Sequence, residues 1–267
     1  MHPGRSTDLS YAYFRQVLSA VRGYFTTHLL SNAPDVLQED ASPTLFLRHD
    51  IKVSLKRAVH MAEIEHEYGL PATYMVRADS PLYSLNERNA RIQLLELLQL
   101  GHEVGLHFDL ANDGRQNQSF LAMVENQLRP ACTRIEQIIC RPVRAFSLYR
   151  PIPLLFGGPL LVNGRINADA RELRAWLLSD VGGNWRNGDP LTQIRQPAGR
   201  ILQILLHPLW WGHKHLPAPE RLQEFFASAT YDASAREAAI FDINLSKAVP
   251  AARRQGIHAL VGGGSRA

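Results

Sequence analysis

Two rhythms of apolar and polar positions divide the chain. Between residues 9 and 30, Tyr11, Phe14, Val17, Leu18, Val21 and Phe25 recur mostly every three or four positions, the spacing of one helix face. This predicts a helix over 9–30 with Asp8 as its N-cap. Residues 31–43, mostly polar and containing Pro34, read as a loop. Short apolar runs bounded by turn residues then predict strands at 44–49, 72–76, 103–108, 143–148, 175–179 and 200–207. Helical periodicity fills 53–68, ending at Gly69, and 86–100, ending at Gly101. It returns over 118–139, where Pro130 predicts a break or a fresh start, and over 218–229. Alternating strands and helices predict βαβ units around a parallel sheet. Polar residues at several strand ends favour a barrel over an open sheet. No internal repeat or linker appears, so residues 1–267 are read as one domain. The segment after 247 is expected to be a tail, disordered at Gly262-Gly263-Gly264-Ser265.

Composition narrows the class. Of the 267 residues, 45% are hydrophobic, enough for a sizeable core. The 29 Lys and Arg against 25 Asp and Glu leave a formal charge of only +4, without a basic block interleaved with aromatics. Nucleic acid is therefore not an expected partner. No apolar run approaches the roughly 18 residues of a membrane span, and no signal peptide is visible at the N-terminus. Cys132 and Cys140 fall within or just past one predicted helix, about 12 Å apart and too far for a disulfide. Two free thiols and no export signal predict a cytoplasmic protein.

The strand ends carry the chemistry. Asp50 follows His49 at the end of the first predicted barrel strand, where it can be a general base, a metal ligand or a helix cap. Lys52 lies two residues on, on the same face if the strand continues. His102 and His107 bracket one strand and point to opposite faces; His107, at the carboxyl end, is the candidate ligand and His102 reads as structural. Asp109 shares the face of His107 if the strand runs on. Imidazole with carboxylate suits Zn²⁺ and related divalent metals. Arg150, extended before Pro151, could grip a carboxylate. His207 closes an apolar run and leads into Trp210 and Trp211, aromatic faces that suit a sugar ring or a core. Asp180, Trp185 and Arg186 surround the Gly182-Gly183 turn and are candidate substrate contacts. Neither a GxxxxGKS/T phosphate loop nor a GxSxG elbow is present.

In order and spacing these segments resemble the polysaccharide deacetylase superfamily, also called NodB-like or carbohydrate esterase family 4. Arg48-His49-Asp50-Ile51-Lys52 is similar to the Arg-His-Asp-Val-Asp first motif of one branch. Gly101-His102-Glu103-Val104-Gly105-Leu106-His107 is similar to the second motif, Tyr149-Arg150-Pro151 to the third, and Leu206-His207-Pro208 to the last. The resemblance spans about residues 10–215. It implies a distorted (β/α)₇ barrel and metal-dependent hydrolysis of an N-acetyl group on a sugar, as in surface polysaccharide metabolism. It further implies that Asp50 is the base, Arg150 orients it, His107 binds a metal and His207 protonates the leaving amine; with Asp50 as a second ligand, Asp109 is this chain's own candidate to complete the metal set. Two positions depart from the pattern. Lys52 stands where the branch has Asp, and Ala111 where the larger family has a second His. These departures motivate an alternative, a catalytically inactive barrel that binds a glycan or a partner protein.

Overall fold

The computed structural model describes residues 8–38, 42–110, 119–152 and 154–227. A first helix, α1 (Tyr11–Tyr24), is capped by the Ser10 hydroxyl, which accepts from the Tyr13 N–H. It is shorter than predicted. The chain leaves it at Phe25 and forms a three-residue strand, β1 (Thr26–His28), along the next strand. The predicted polar loop holds a short helix, α2 (Ala33–Gln38).

Three βα steps and a further strand follow: β2 (Thr44–Ile51), α3 (Leu55–Glu67), β3 (Thr73–Val76), α4 (Arg88–Gln99), β4 (Glu103–Phe108), α5 (Phe120–Ile139) and β5 (Ala145–Leu148). Ser54 caps α3, so capping is not the role of Asp50. Pro130 lies inside α5, which continues unbroken from Phe120 to Ile139. A hairpin, β6 (Leu161–Val162) with β7 (Arg165–Asn167), leads to β8 (Leu177–Ser179), α6 (Pro190–Arg195), β9 (Ile201–Leu206) and α7 (Ala218–Ala227). Cys132 is buried, Cys140 is exposed, and both are free. The tail after 227, including the glycine run, lies outside the described residues.

The strands form one curled sheet in the order β6-β7-β5-β4-β3-β2-β9-β8, with β1 on the early part of β2. Every pairing except β6–β7 is parallel. The result is the α/β half-barrel of a distorted (β/α)₇ fold.

Alternation along each strand sorts side chains to two faces. On the convex face, Leu45, Leu47, Tyr74, Val104, Leu106, Phe146, Leu202 and Ile204 pack into the main core with α1, α3, α4 and α5. The concave face is mostly apolar at its amino end, where Phe46, Met75, Ala145 and Ile166 meet Leu30 and Val36 from the segment around α2. Further up, that face turns polar: Arg48, Asp50, Ser147, Gln203 and His107 are all buried. The fold thus plugs one end of the half-barrel and concentrates polar groups at the carboxyl ends of the strands. No helix among the described residues is long and apolar enough to cross a membrane.

Candidate active site

The strand register brings distant residues together. β2 and β9 pair His49 with Leu206, so Asp50 and His207, one residue further on, are neighbours at the same end. β4 and β5 pair His107 with Ser147. A cleft of about 430 Å³ opens at this end, and both Asp50 and His207 line it, together with Lys52, Tyr149, Phe156 and Arg174. A larger groove of about 580 Å³ lies on the outer surface beside α3 and α7 and contains none of these strand-end residues.

The Asp50 carboxylate is gripped by a residue two positions before it. Arg48 Nε and Nη2 donate to its two oxygens, each at 2.8 Å. The same guanidinium reaches Asp169, with Nη1 3.1 Å from Oδ1 and Nη2 3.3 Å from Oδ2. Arg48 is only 1% exposed and Asp50 4%. Burial alone would push the Asp50 carboxyl up; the Arg48 charge overrides it and holds the group well below the usual carboxylate range. The expected orienting residue, Arg150, is elsewhere. It points outward and forks onto Asp109 at 2.8 and 3.1 Å. Asp109 is thereby committed to a guanidinium.

His107 sits behind Asp50. The Ser147 hydroxyl donates to Asp50 Oδ1 at 3.1 Å, so its oxygen accepts from His107 Nδ1–H at 2.7 Å; the tautomer follows from this chain of donors. His107 Nε2 then presents a lone pair, buried without a partner among the described residues. Burial, opposed by Asp50 and reinforced by Lys52, Arg48 and Arg77, holds the imidazole well below its ordinary pKa, and therefore neutral.

His207 is built differently. Asp180 Oδ1 accepts from its Nδ1 at 2.7 Å, and Asp180 Oδ2 accepts from the His207 backbone N–H at 3.0 Å and from Trp211 Nε1 at 2.7 Å. Asp180 is fully buried. Three donors fix its carboxylate, which in turn fixes the ring so that Nε2 is the nitrogen left for the cleft. Of the two readings of Trp210 and Trp211, a sugar-facing wall or core, their burial gives core, and the candidate substrate contact Trp185 is buried with them: Trp211 is 0% exposed, Trp210 3% and Trp185 5%. Trp185 packs edge-on against Trp211. Of the predicted substrate contacts, Arg186 lines the cleft, and Trp210 lines only a narrow recess beside it. The aromatic faces in the cleft are Tyr149 and Phe156. Lys52 Nζ lies 5.2 Å and Arg77 4.3 Å from the Tyr149 ring centre. Arg174 lies 4.0 Å from that of Phe156 and donates to Asp169 at 3.1 Å.

These residues do not fit a divalent metal. Of the predicted ligands, Asp50 has both oxygens on Arg48, and Asp109 has both on Arg150. That leaves the single nitrogen of His107, with Lys52 and Arg77 adding positive charge nearby. Among the described residues no group of three metal-ligating side chains exists; Ala111 lies outside them.

Arg48, Ser147 and Asp169 are the site residues missed by sequence reasoning. Arg48 had a signal: residues two apart on a strand share a face, so Arg48 and Asp50 must meet.

No protein-family model and no curated protein matches the chain. Solved structures do align with it. A carbohydrate esterase family 4 pseudoenzyme from Bacillus anthracis shares 14% identity over 82% of this chain, with a TM-score of 0.40, and the chain spans 63% of that protein's length. The catalytic domain of a peptidoglycan N-acetylglucosamine deacetylase from Eubacterium rectale shares 14% identity over 73% of this chain and 88% of its own, with a TM-score of 0.42. A family 4 acetyl xylan esterase from Clostridium thermocellum, in complex with a cobalt ion, shares 15% identity over 69% of this chain and 82% of its own, with a TM-score of 0.38. At such values the likeness is to the outline of the fold, and the chemistry has to be read from this chain's own side chains.

Proposed function

We propose that the chain hydrolyses an amide bond of an N-acylated sugar derivative at the carboxyl ends of β2 and β9, with His207 as the proton-moving group. The observation that carries this reading is the His207–Asp180 pair on the wall of a cleft also lined by Asp50 and Lys52. A buried carboxylate on Nδ1 leaves Nε2 to take a proton from water and later return it. In this scheme the water oxygen bonds to the acyl carbon and its proton passes to His207 Nε2. The negative charge arising on the carbonyl oxygen is met by the Lys52 ammonium. His207 then protonates the sugar nitrogen, the C–N bond breaks, and a carboxylic acid and an amine leave. No step passes through a metal. Tyr149 and Phe156, each stacked by a cationic side chain, line the cleft in which the sugar ring would lie.

A second reading, a sugar-binding barrel without turnover, is favoured by one observation: Asp50, whose place suits a base, is locked on Arg48 and held ionised at a low pKa, which makes it a weak proton acceptor. Release of carboxylate and amine from N-acetylhexosamines, their phosphates and oligomers, with and without chelator, separates the two. Activity that survives the chelator and drops about a hundredfold or more in Asp180→Asn fits the hydrolase. Saturable sugar binding with no release from any substrate sinks it in favour of the binding barrel.

A further inference from the structure

The cleft has the charge of an anion site. Among the described residues its wall carries four cationic side chains, Arg48, Lys52, Arg174 and Arg186, against two carboxylates, Asp50 and Asp169. Asp180, buried behind His207, brings the carboxylates to three, so the balance stays positive, four against three, even with His207 neutral.

The carboxylates also face inward. Both Asp50 oxygens accept from Arg48. The Asp169 oxygens accept from Arg48, Arg174 and the Leu148 N–H. Arg48 is spent on these two groups and on the Ala168 carbonyl, so it acts as an internal counter-ion. Nearer the mouth the wall carries Lys52 and Arg186 together with Arg174, which bridges Asp169 and the Phe156 ring, and Lys52 stands over the Tyr149 ring. Such a wall repels a divalent cation and attracts a negative group attached to a ring. Guanidinium suits phosphate or carboxylate through paired donors, and ammonium through point charge.

We infer that this cleft takes an anionic sugar derivative, bearing a phosphate or a carboxylate, whose negative group is received by Lys52, Arg174 and Arg186. This rests on the sugar-site reading above for the ring, while the charge argument stands whether or not the bound sugar is hydrolysed.

Calorimetric titration of the full chain tests it. The probes are N-acetylglucosamine, N-acetylglucosamine 1-phosphate, glucuronate and Zn²⁺ alone. At low salt, at least one anionic sugar is expected to bind about tenfold or more tighter than the neutral one. The phosphate and carboxylate arms identify which anion is preferred. The advantage is expected to shrink in 0.5 M NaCl, where screening is short-ranged. Lys52→Met and Arg186→Gln should each remove most of it. Lys52→Arg should keep it, which covers the case in which Lys52→Met fails to fold. Equal binding of neutral and anionic sugars overturns the inference. So does stoichiometric Zn²⁺ binding that the anionic sugars do not weaken. Anionic-sugar binding with no bond cleavage would overturn the hydrolase reading and leave this one standing, whereas cleavage of neutral substrates alone would do the reverse.

Discussion

Arg48 decides what this site can be. Its fork neutralises Asp50 and Asp169 at once while almost wholly removed from water. Replacing it with Met would leave Asp50 buried without its guanidinium and Asp169 with Arg174 alone, a cost of about 3–5 kcal/mol for a broken buried pair. Urea unfolding should show that loss, and Arg48→Lys should recover little of it because a point charge cannot fork. No measurable destabilisation in Arg48→Met would mean that the carboxylates are hydrated and the pair is not structural. His107 supplies part of the pH dependence, beside His102, whose imidazole burial also pushes down. The His107 pKa is depressed in the fold, chiefly by burial, whereas the unfolded imidazole titrates near 6.5. Below about 6.5 the unfolded chain binds a proton that the folded chain refuses, so stability falls as pH drops toward the folded pKa. At higher pH both states are neutral and the dependence vanishes. His107→Asn should therefore partly flatten the stability profile below about 6.5 and leave its alkaline side unchanged. An unchanged acid limb, measured by unfolding at several pH values, would assign that limb to other groups.

At the scale of elements, the sequence was legible where burial dominates. The strand over Glu103–Phe108 and the repeated βα order are readable because the convex-face positions are buried and apolar in every strand, which leaves short runs rich in apolar residues between turn signals. What escaped is structure defined by pairing. β1 is Thr26-Thr27-His28, partly exposed, and exists only as a ladder on β2; nothing in its composition separates it from the helix before it. The β6–β7 hairpin did have a signal. Asn163-Gly164 between Val162 and Arg165 is the dipeptide that favours a tight two-residue turn, and both residues adopt positive φ, 50° and 75°. Pro130 misled because one lost hydrogen bond does not end a helix whose Val124, Leu128, Cys132 and Ile135 are all buried. The second motif also contains a packing device. A Cβ on Gly105 would stand 2.4 Å from Met75 Sδ and 2.9 Å from the Ala145 carbonyl oxygen. Met75 can turn aside but the backbone of β5 cannot, so Gly105→Ala should destabilise by about 1–3 kcal/mol through overpacking. Paired with Met75→Ala, it should recover only part of that loss; full recovery would show that the side chain, and not the neighbouring strand, is the obstacle.

For the molecule as a whole, the question is how a sheet that stops at β8 on one side and at the β6–β7 hairpin on the other keeps its cleft in shape. The chain runs directly from β7 to β8 through residues 168–176, without an intervening α-helix, so this segment bridges the gap between the two sheet ends. Its two ends continue the ladder, with Ala168 N donating to the Phe146 carbonyl and Gln203 N to the Trp176 carbonyl, and between them it is tied down by side chains from the concave face. Gln203 Nε2 donates to the Ala168 carbonyl at 3.1 Å and to the Leu173 carbonyl at 2.9 Å, and Arg48 Nη1 reaches Ala168 at 3.3 Å. Asp169, near the start of the bridge, faces the cleft and returns the contact to Arg48. The polar layer that sets the charge of the site therefore also closes the half-barrel, and sequence patterning hid it because a buried Gln inside an apolar strand carries no periodic signature. Gln203→Leu keeps the apolar volume of β9 but leaves two carbonyls without their amide donor, at a cost of about 1–3 kcal/mol. The effect should be local. Hydrogen exchange ought to rise over 168–176, the cleft should lose affinity for anionic sugars as Asp169 and Arg174 loosen together, and exchange in α3 and α4 should stay as it is. Protection lost uniformly across the chain, with the bridge no faster than the helices, would mean that Gln203 supports the core in general and that some other contact closes the barrel.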